Sequence, residues 1–207
     1  MRTIVRTMVC TAMLLLIASA TLAGGPGHCY DPSTRAGFVC PSDACEGNAA
    51  VVAKDGVCKV CGQKLVAVKS LTHVAIVLDD GVDLFDVSGP SEVFANAGGF
   101  YVYTMSQHGD AIRSGGLEVE PDFDIAHCPW PDVLVVAGSG TRTSEALRDW
   151  IALVGNNADY VLKTGGVSSG VDGALNIVAK IKGTESAQRA ARAIEYESWL
   201  AQAGTQK

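Results

Sequence analysis

From residue 72 onward, unbroken apolar runs alternate with stretches whose apolar positions recur at helical spacing, a pattern that predicts an α/β domain. His73 to Leu78 is apolar from Val74 through Ala75, Ile76 and Val77, as strands covered on both faces are. A turn follows at Asp79, Asp80 and Gly81. Gly89-Pro90 predicts a helix start, with Pro at the first helical position, Glu92 in the first turn, Val93 and Phe94 inward, and Gly98-Gly99 as the stop. Phe100 to Ser106 reads as a second strand, and Ile112 to Glu120, broken by Gly115-Gly116, as a short hairpin. Asp132 to Ala137 is another buried strand, running out into Gly138-Ser139-Gly140. Thr143 or Ser144 caps a helix carrying Leu147, Trp150, Ile151 and Val154. Asp159 to Lys163 is the last strand, followed by helices from Gly170 to Ile181 and from Glu185 to Ala201. Alternation of this kind predicts a parallel sheet with helices on its faces.

The start of the chain is patterned differently. Arg2 and Arg6 precede an apolar stretch from Met8 to Ala20, which ends in the small residues Ala18, Ser19, Ala20 and Ala23. Residues 1–23 therefore read as a signal peptide, cleaved after Ala20 or Ala23, and the mature protein is expected to be exported, periplasmic or secreted. The stretch is too short to remain in a bilayer and no later run reaches membrane length, so no membrane span is expected. The formal net charge of −6 becomes about −8 once Arg2 and Arg6 are removed. An acidic surface without a basic stripe argues against a nucleic-acid partner.

Between a linker over residues 24–37 and the α/β domain over residues 72–203 lies a module, residues 38–68, built around cysteine. Cys40 and Cys45 enclose four residues, Cys58 and Cys61 enclose two, and twelve separate the pairs. Each pair can present two thiolates from one tight loop to a tetrahedral ion, for which zinc is the default and another soft divalent metal the alternative. Gly56 and Gly62 let the backbone turn around Cys58 and Cys61 so that amides face sulfur. Few large apolar residues occur here, so burial alone cannot fold the module. In an oxidising compartment the same cysteines could instead form two disulfides, and the sequence leaves both readings open. His28 and Cys29 read as linker residues. Phe38-Val39-Cys40-Pro41 together with Gly56-Val57-Cys58-Lys59-Val60-Cys61-Gly62-Gln63 resembles the small heavy-metal-binding domain of bacterial copper- and zinc-handling proteins. That family commonly has Met-His after Cys-Pro and Met after Cys-Gly. Ser42-Asp43 and Gln63 stand there instead, which favours structural zinc over copper.

The larger domain resembles the isonitrile-hydratase-like branch of the ThiJ/PfpI family. The resemblance rests on Gly81-Val82-Asp83-Leu84-Phe85-Asp86-Val87-Ser88-Gly89-Pro90, on Pro131 to Gly140, on Thr164-Gly165-Gly166-Val167-Ser168-Ser169-Gly170 and on Glu195-Tyr196-Glu197. It implies a flavodoxin-like fold, shortened here, and covalent catalysis by a cysteine on a strand-to-helix elbow. The family's acid maps onto Asp86, and backbone amides of Gly138, Ser139 and Gly140 onto one side of an oxyanion-type pocket whose other side is Gly166, Ser168 and Ser169. The nucleophile maps onto nothing. Where the family continues from this strand into a Cys-bearing elbow and later a histidine, Leu162-Lys163 passes directly into Thr164-Gly165-Gly166, so the domain is internally shortened near residues 162–164.

Substitutes for the missing thiol are poor. Cys128 sits in the loop His127-Cys128-Pro129-Trp130 ahead of a strand, at the wrong end of the sheet for an elbow. Ser168 and Ser169 follow a Gly-Gly turn but have no histidine placed to activate them, and helix capping is their plainer role. The reading is an exported metal-binding protein whose ThiJ/PfpI-like domain has lost its catalytic cysteine and binds an unknown small molecule or partner. A cysteine-dependent hydratase or hydrolase completed by a non-standard nucleophile or partner chain is the first alternative. Metal buffering or sensing through the knuckle is the second. A sheet lacking central elements exposes strand edges, so a homodimer is expected.

Overall fold

The computed structural model describes residues 36–41, 45, 51–138 and 143–197. The region expected to be a signal peptide, together with Ser139 and Gly140, lies outside the described residues. The helix expected to run from Glu185 to Ala201 ends at Ala193 instead, where the chain turns and Glu195 takes a positive φ of 54. Five strands form one wholly parallel sheet in the order β7-β4-β3-β8-β9, with β3 Thr72–Val77, β4 Phe100–Ser106, β7 Phe123–Asp124, β8 Val133–Val136 and β9 Tyr160–Lys163. The helices are α1 Leu84–Ala97, α2 Glu145–Gly155, α3 Val167–Lys182 and α4 Thr184–Ala193. The hairpin is β5 Ile112–Ser114 with β6 Leu117–Val119, turned by Gly115 and Gly116, both at positive φ. The remaining pair, β1 Phe38–Val39 and β2 Val66–Ala67, ties the two ends of the cysteine module together.

Alternation along the strands divides the core into two layers. Val74 and Ile76 of β3, with Val133 and Val135 of β8, pack beneath α1, α3 and α4. Ala75, Val77 and Leu134 face the other way, onto Tyr103, Met105 and the α2 residues Leu147, Trp150 and Val154. Among the described residues α2 is the only α-helix on that second face, its Gly155 lying against Val161 of β9 and Leu134 of β8. The unbroken apolar runs of β3 and β8 are what a strand between two such layers requires.

The helix expected to start at Gly89-Pro90 starts at Leu84 instead, and Pro90 lies inside it. Asp83 supplies the cap: its Oδ1 accepts from the Phe85 N–H at 3.0 Å, which nucleates the helix a turn and a half earlier than proline alone signals. Pro90 has no N–H for the carbonyl four residues back, that of Asp86, so the first turn continues without that rung. Burial of Val87, Val93 and Phe94 holds the helix across the gap. Ser144, rather than Thr143, caps α2, its Oγ accepting from the Leu147 N–H at 3.1 Å. The helix α3 starts three residues before the expected Gly170, and the short β7 was not read from the sequence at all.

Candidate functional site

The cysteine module brings Cys40, Cys45, Cys58 and Cys61 together from two loops. Their four sulfurs lie within 4.8 Å of one another, with Cys40 to Cys61 at 3.5 Å and Cys45 to Cys58 at 3.6 Å. Cys40, Cys45 and Cys58 are buried and Cys61 is exposed. The second loop is a tight hairpin in which Gly62 donates to the Cys58 carbonyl at 2.8 Å and Cys58 to the Gln63 carbonyl at 2.7 Å. Gly62 takes φ +76, which a residue with a Cβ adopts only with strain. That turn aims the N–H groups of Cys61 and Val60 at the Cys58 sulfur, and they hold its thiol down at about 6, from an ordinary value of 9.0. Leu65 is the apolar residue packed on this cluster. The sulfurs are therefore the core of the module, and together they could hold one metal ion.

The carboxyl ends of β3, β8 and β9 bring a second set of residues together. The chain runs from β3 outward to β4 and β7 and then returns to the other side with β8 and β9, so the topological switch lies between β3 and β8, where open α/β sheets bind ligands. Asp86 sits there in the first turn of α1, 4% exposed, with one carboxylate oxygen hydrogen-bonded to nothing among the described residues. Asp86 does not cap α1; Asp83 does. Gly138 leaves the end of β8 against it. Its N–H donates to the Thr164 hydroxyl at 2.9 Å, and a Cβ on Gly138 would come within 2.6 Å of the other Asp86 oxygen and 2.8 Å of the Thr164 carbonyl. Gly138→Ala should consequently cost about 1–3 kcal/mol in thermal or urea unfolding, the range for overpacking a tight site. A neutral effect would show that this corner yields.

Gly166 forms the N-terminal boundary of α3 and makes no side-chain cap; Ser168 and Ser169 are exposed in its first turn. Ser169 closes the turn by donating to the Gly166 carbonyl at 2.7 Å rather than capping a free N–H within the helix. No histidine among the described residues contacts either serine. Beside this corner a cleft of about 570 Å³ runs along the second face, between α2 and the ends of β8 and β9, with Asp79, Arg148, Lys163 and Thr164 among the residues around it.

Cys128 is far from this corner, in the loop that leads into β8, where its thiol points to the Pro129 carbonyl at 3.4 Å. His127 turns instead to Asp124, at 2.9 Å. Burial pushes the Cys128 thiol up, and the Asp124 and Asp122 carboxylates add to it, the reverse of what a nucleophile needs. Iodoacetamide at pH 8 is accordingly expected to spare Cys128 in the folded protein and to modify it after unfolding, as read by peptide mass spectrometry. Rapid labelling of the folded chain would contradict this placement.

Sequence reasoning missed Thr164 as the residue that locks Gly138, although it begins the Thr-Gly-Gly run that drew attention to its neighbours. Comparison with solved structures identifies the class of fold. The chain is similar to a ThiJ/PfpI family protein from Pseudomonas syringae, with 18% identity and a TM-score of 0.57 over 61% of this chain and 76% of that one. A mutant of a DJ-1 superfamily protein from Salmonella typhimurium aligns at 13% identity and a TM-score of 0.51, over 61% and 99% of the two chains. Oxidised DJ-1 of Toxoplasma gondii aligns at 14% and 0.50, over 60% and 98%. The α/β domain thus has the ThiJ/PfpI and DJ-1 fold. No family model and no curated protein matches the sequence.

Proposed function

We propose that this is an exported metal-binding protein in which Cys40, Cys45, Cys58 and Cys61 hold one structural zinc and the attached ThiJ/PfpI-like domain binds a small molecule or partner without covalent catalysis. The observation that carries the reading is the convergence of four sulfurs on one point. A zinc–sulfur bond of about 2.3 Å places the corners of a thiolate tetrahedron about 3.8 Å apart. The Cys40–Cys61 and Cys45–Cys58 separations of 3.5 and 3.6 Å are close to that edge. With four protein ligands no coordination position stays open, so the ion would supply folding energy rather than a reactive water. The export part of the reading rests on the basic, apolar and small-residue pattern of residues 1–23.

Loss of catalysis is supported by what gathers at the sheet's carboxyl end: Asp86, Gly138 and Thr164, with no thiol among the described residues. A buried carboxyl group with one oxygen unpartnered among the described residues, beside a cleft, suits ligand binding. The full chain should show no hydration of an isonitrile beyond that of its Cys128→Ser variant. Turnover that Cys128→Ser abolishes would overturn the non-catalytic reading and revive the cysteine-dependent alternative.

A further inference from the structure

We infer that the cleft between α2 and the ends of β8 and β9 binds an organic anion, a monocarboxylate on an apolar body, with its carboxylate held by Arg148 and Lys163. The inference rests on the reading of the α/β domain as a ligand binder, names the class of ligand, and is independent of the metal site. It starts from the strand register. Val77, Val136 and Lys163 lie side by side across β3, β8 and β9, with Leu134 and Val161 paired one two-residue step earlier. Alternation turns all five to one face of the sheet, the face that α2 covers. A Cβ on Gly155, at the far end of α2, would lie 3.5 Å from the Val161 side chain and 3.7 Å from that of Leu134. The helix therefore runs antiparallel to the strands, with its first turn over their carboxyl ends. Arg148 in that turn and Lys163 at the end of β9 stand at the same end of the cleft.

Behind these two cations the cleft is apolar, with Val136 and Val161 on the sheet side and Leu147 and Ile151 on the helix side. Val161 is 42% exposed, apolar surface that the fold alone leaves in water. A volume of about 570 Å³ is in the range that takes a small organic ligand, so the polar groups decide which one. Arg148 and Lys163 are exposed, and neither has an ion-pair partner among the described residues. Arg148 uses one N–H, on the Thr143 carbonyl at 2.6 Å, and its guanidinium carries four more. Asp79 is the one acid among the described residues around the cleft, and both of its oxygens are engaged. Its Oδ2 accepts from the Thr143 hydroxyl at 2.5 Å and its Oδ1 from the Asp80 N–H at 2.9 Å. Two unpaired cations beside one satisfied acid select an anion. A single carboxylate can accept from both, while the body of the ligand covers Val161. A second charge on the ligand would fall against the apolar walls, which is why one carboxylate fits and two do not.

The test is calorimetric titration of the full mature chain with octanoate, octanol and octylamine, which share a tail and differ in the head group. Octanoate is expected to bind at one per chain and at least about tenfold more tightly than the other two. Lys163→Gln is expected to weaken octanoate about tenfold and to leave octanol unchanged, a split that mere loss of structure would not produce. The double variant Arg148→Glu with Lys163→Glu is expected to prefer octylamine. Circular dichroism confirms folding, and should the double variant fail to fold, Lys163→Gln decides. Octanol or octylamine binding as tightly as octanoate, or an octanoate affinity unchanged in Lys163→Gln, would overturn the inference and leave the domain a ligand binder. Binding of none of the three would overturn the inference together with the small-molecule reading of this domain.

Discussion

Replacing Cys58 with serine is expected to strip the protein of its metal and to unfold residues 38–67 while leaving the parallel sheet intact. Cys58 has the greatest leverage of the four ligands. Its own backbone closes the hairpin with Gly62 and Gln63, and its sulfur receives the N–H groups of Cys61 and Val60. Around the sulfurs the module has Leu65 and little else apolar, so nothing replaces the ion once a ligand is removed. Metal per chain should fall from about one to near zero, with loss of protection in amide exchange confined to the module. The pH dependence has a definite sign. A thiol held at about 6 in the fold, against an ordinary 9.0, contributes stability that is present above pH 9 and declines as the pH falls through about 6. Acidification should therefore loosen the module of the wild type, and Cys58→Ser should remove that group's share of the response.

The second large effect lies at Asp86. A carboxyl group that is 4% exposed, with one oxygen unpartnered among the described residues and the other close to Gly138, is a standing cost to the fold. Asp86→Asn keeps the shape and removes the charge, and is expected to stabilise the domain by about 1–2 kcal/mol. For a domain of this size that raises the melting temperature by several degrees. A gain from deleting a buried polar charge marks a position kept for a ligand rather than for stability. A loss of stability would show Asp86 to be a structural residue, and the binding corner at the end of β3 would lose its central group.

How far these features could be read in the sequence depended on whether neighbours in sequence or neighbours in space determine them. The continuous apolar runs of β3 and β8 specify buried parallel strands by themselves, and the cysteine spacing specifies a cluster of four sulfurs, because both depend on residues near one another in the chain. The start of α1 was misplaced because Pro90 is a strong local signal, whereas Asp83 wins through a single cap reinforced by the burial of Val87. The role of Thr164 was invisible because its partner, Gly138, is twenty-six residues away and meets it only when β8 and β9 pair. The strand β7 went unread for the same reason: Phe123 and Asp124 form too short a run to signal a strand, and their pairing with Met105 and Ser106 makes it one.

The metal content of the mature protein, measured together with its thiol reactivity before and after chelation, tests the central reading most directly. About one zinc per chain is expected, with the four knuckle thiols protected in the native protein and reactive once the ion is withdrawn. A protein with no metal and no free thiols among Cys40, Cys45, Cys58 and Cys61 would instead have a disulfide-stapled module, and the metal-binding function would be wrong.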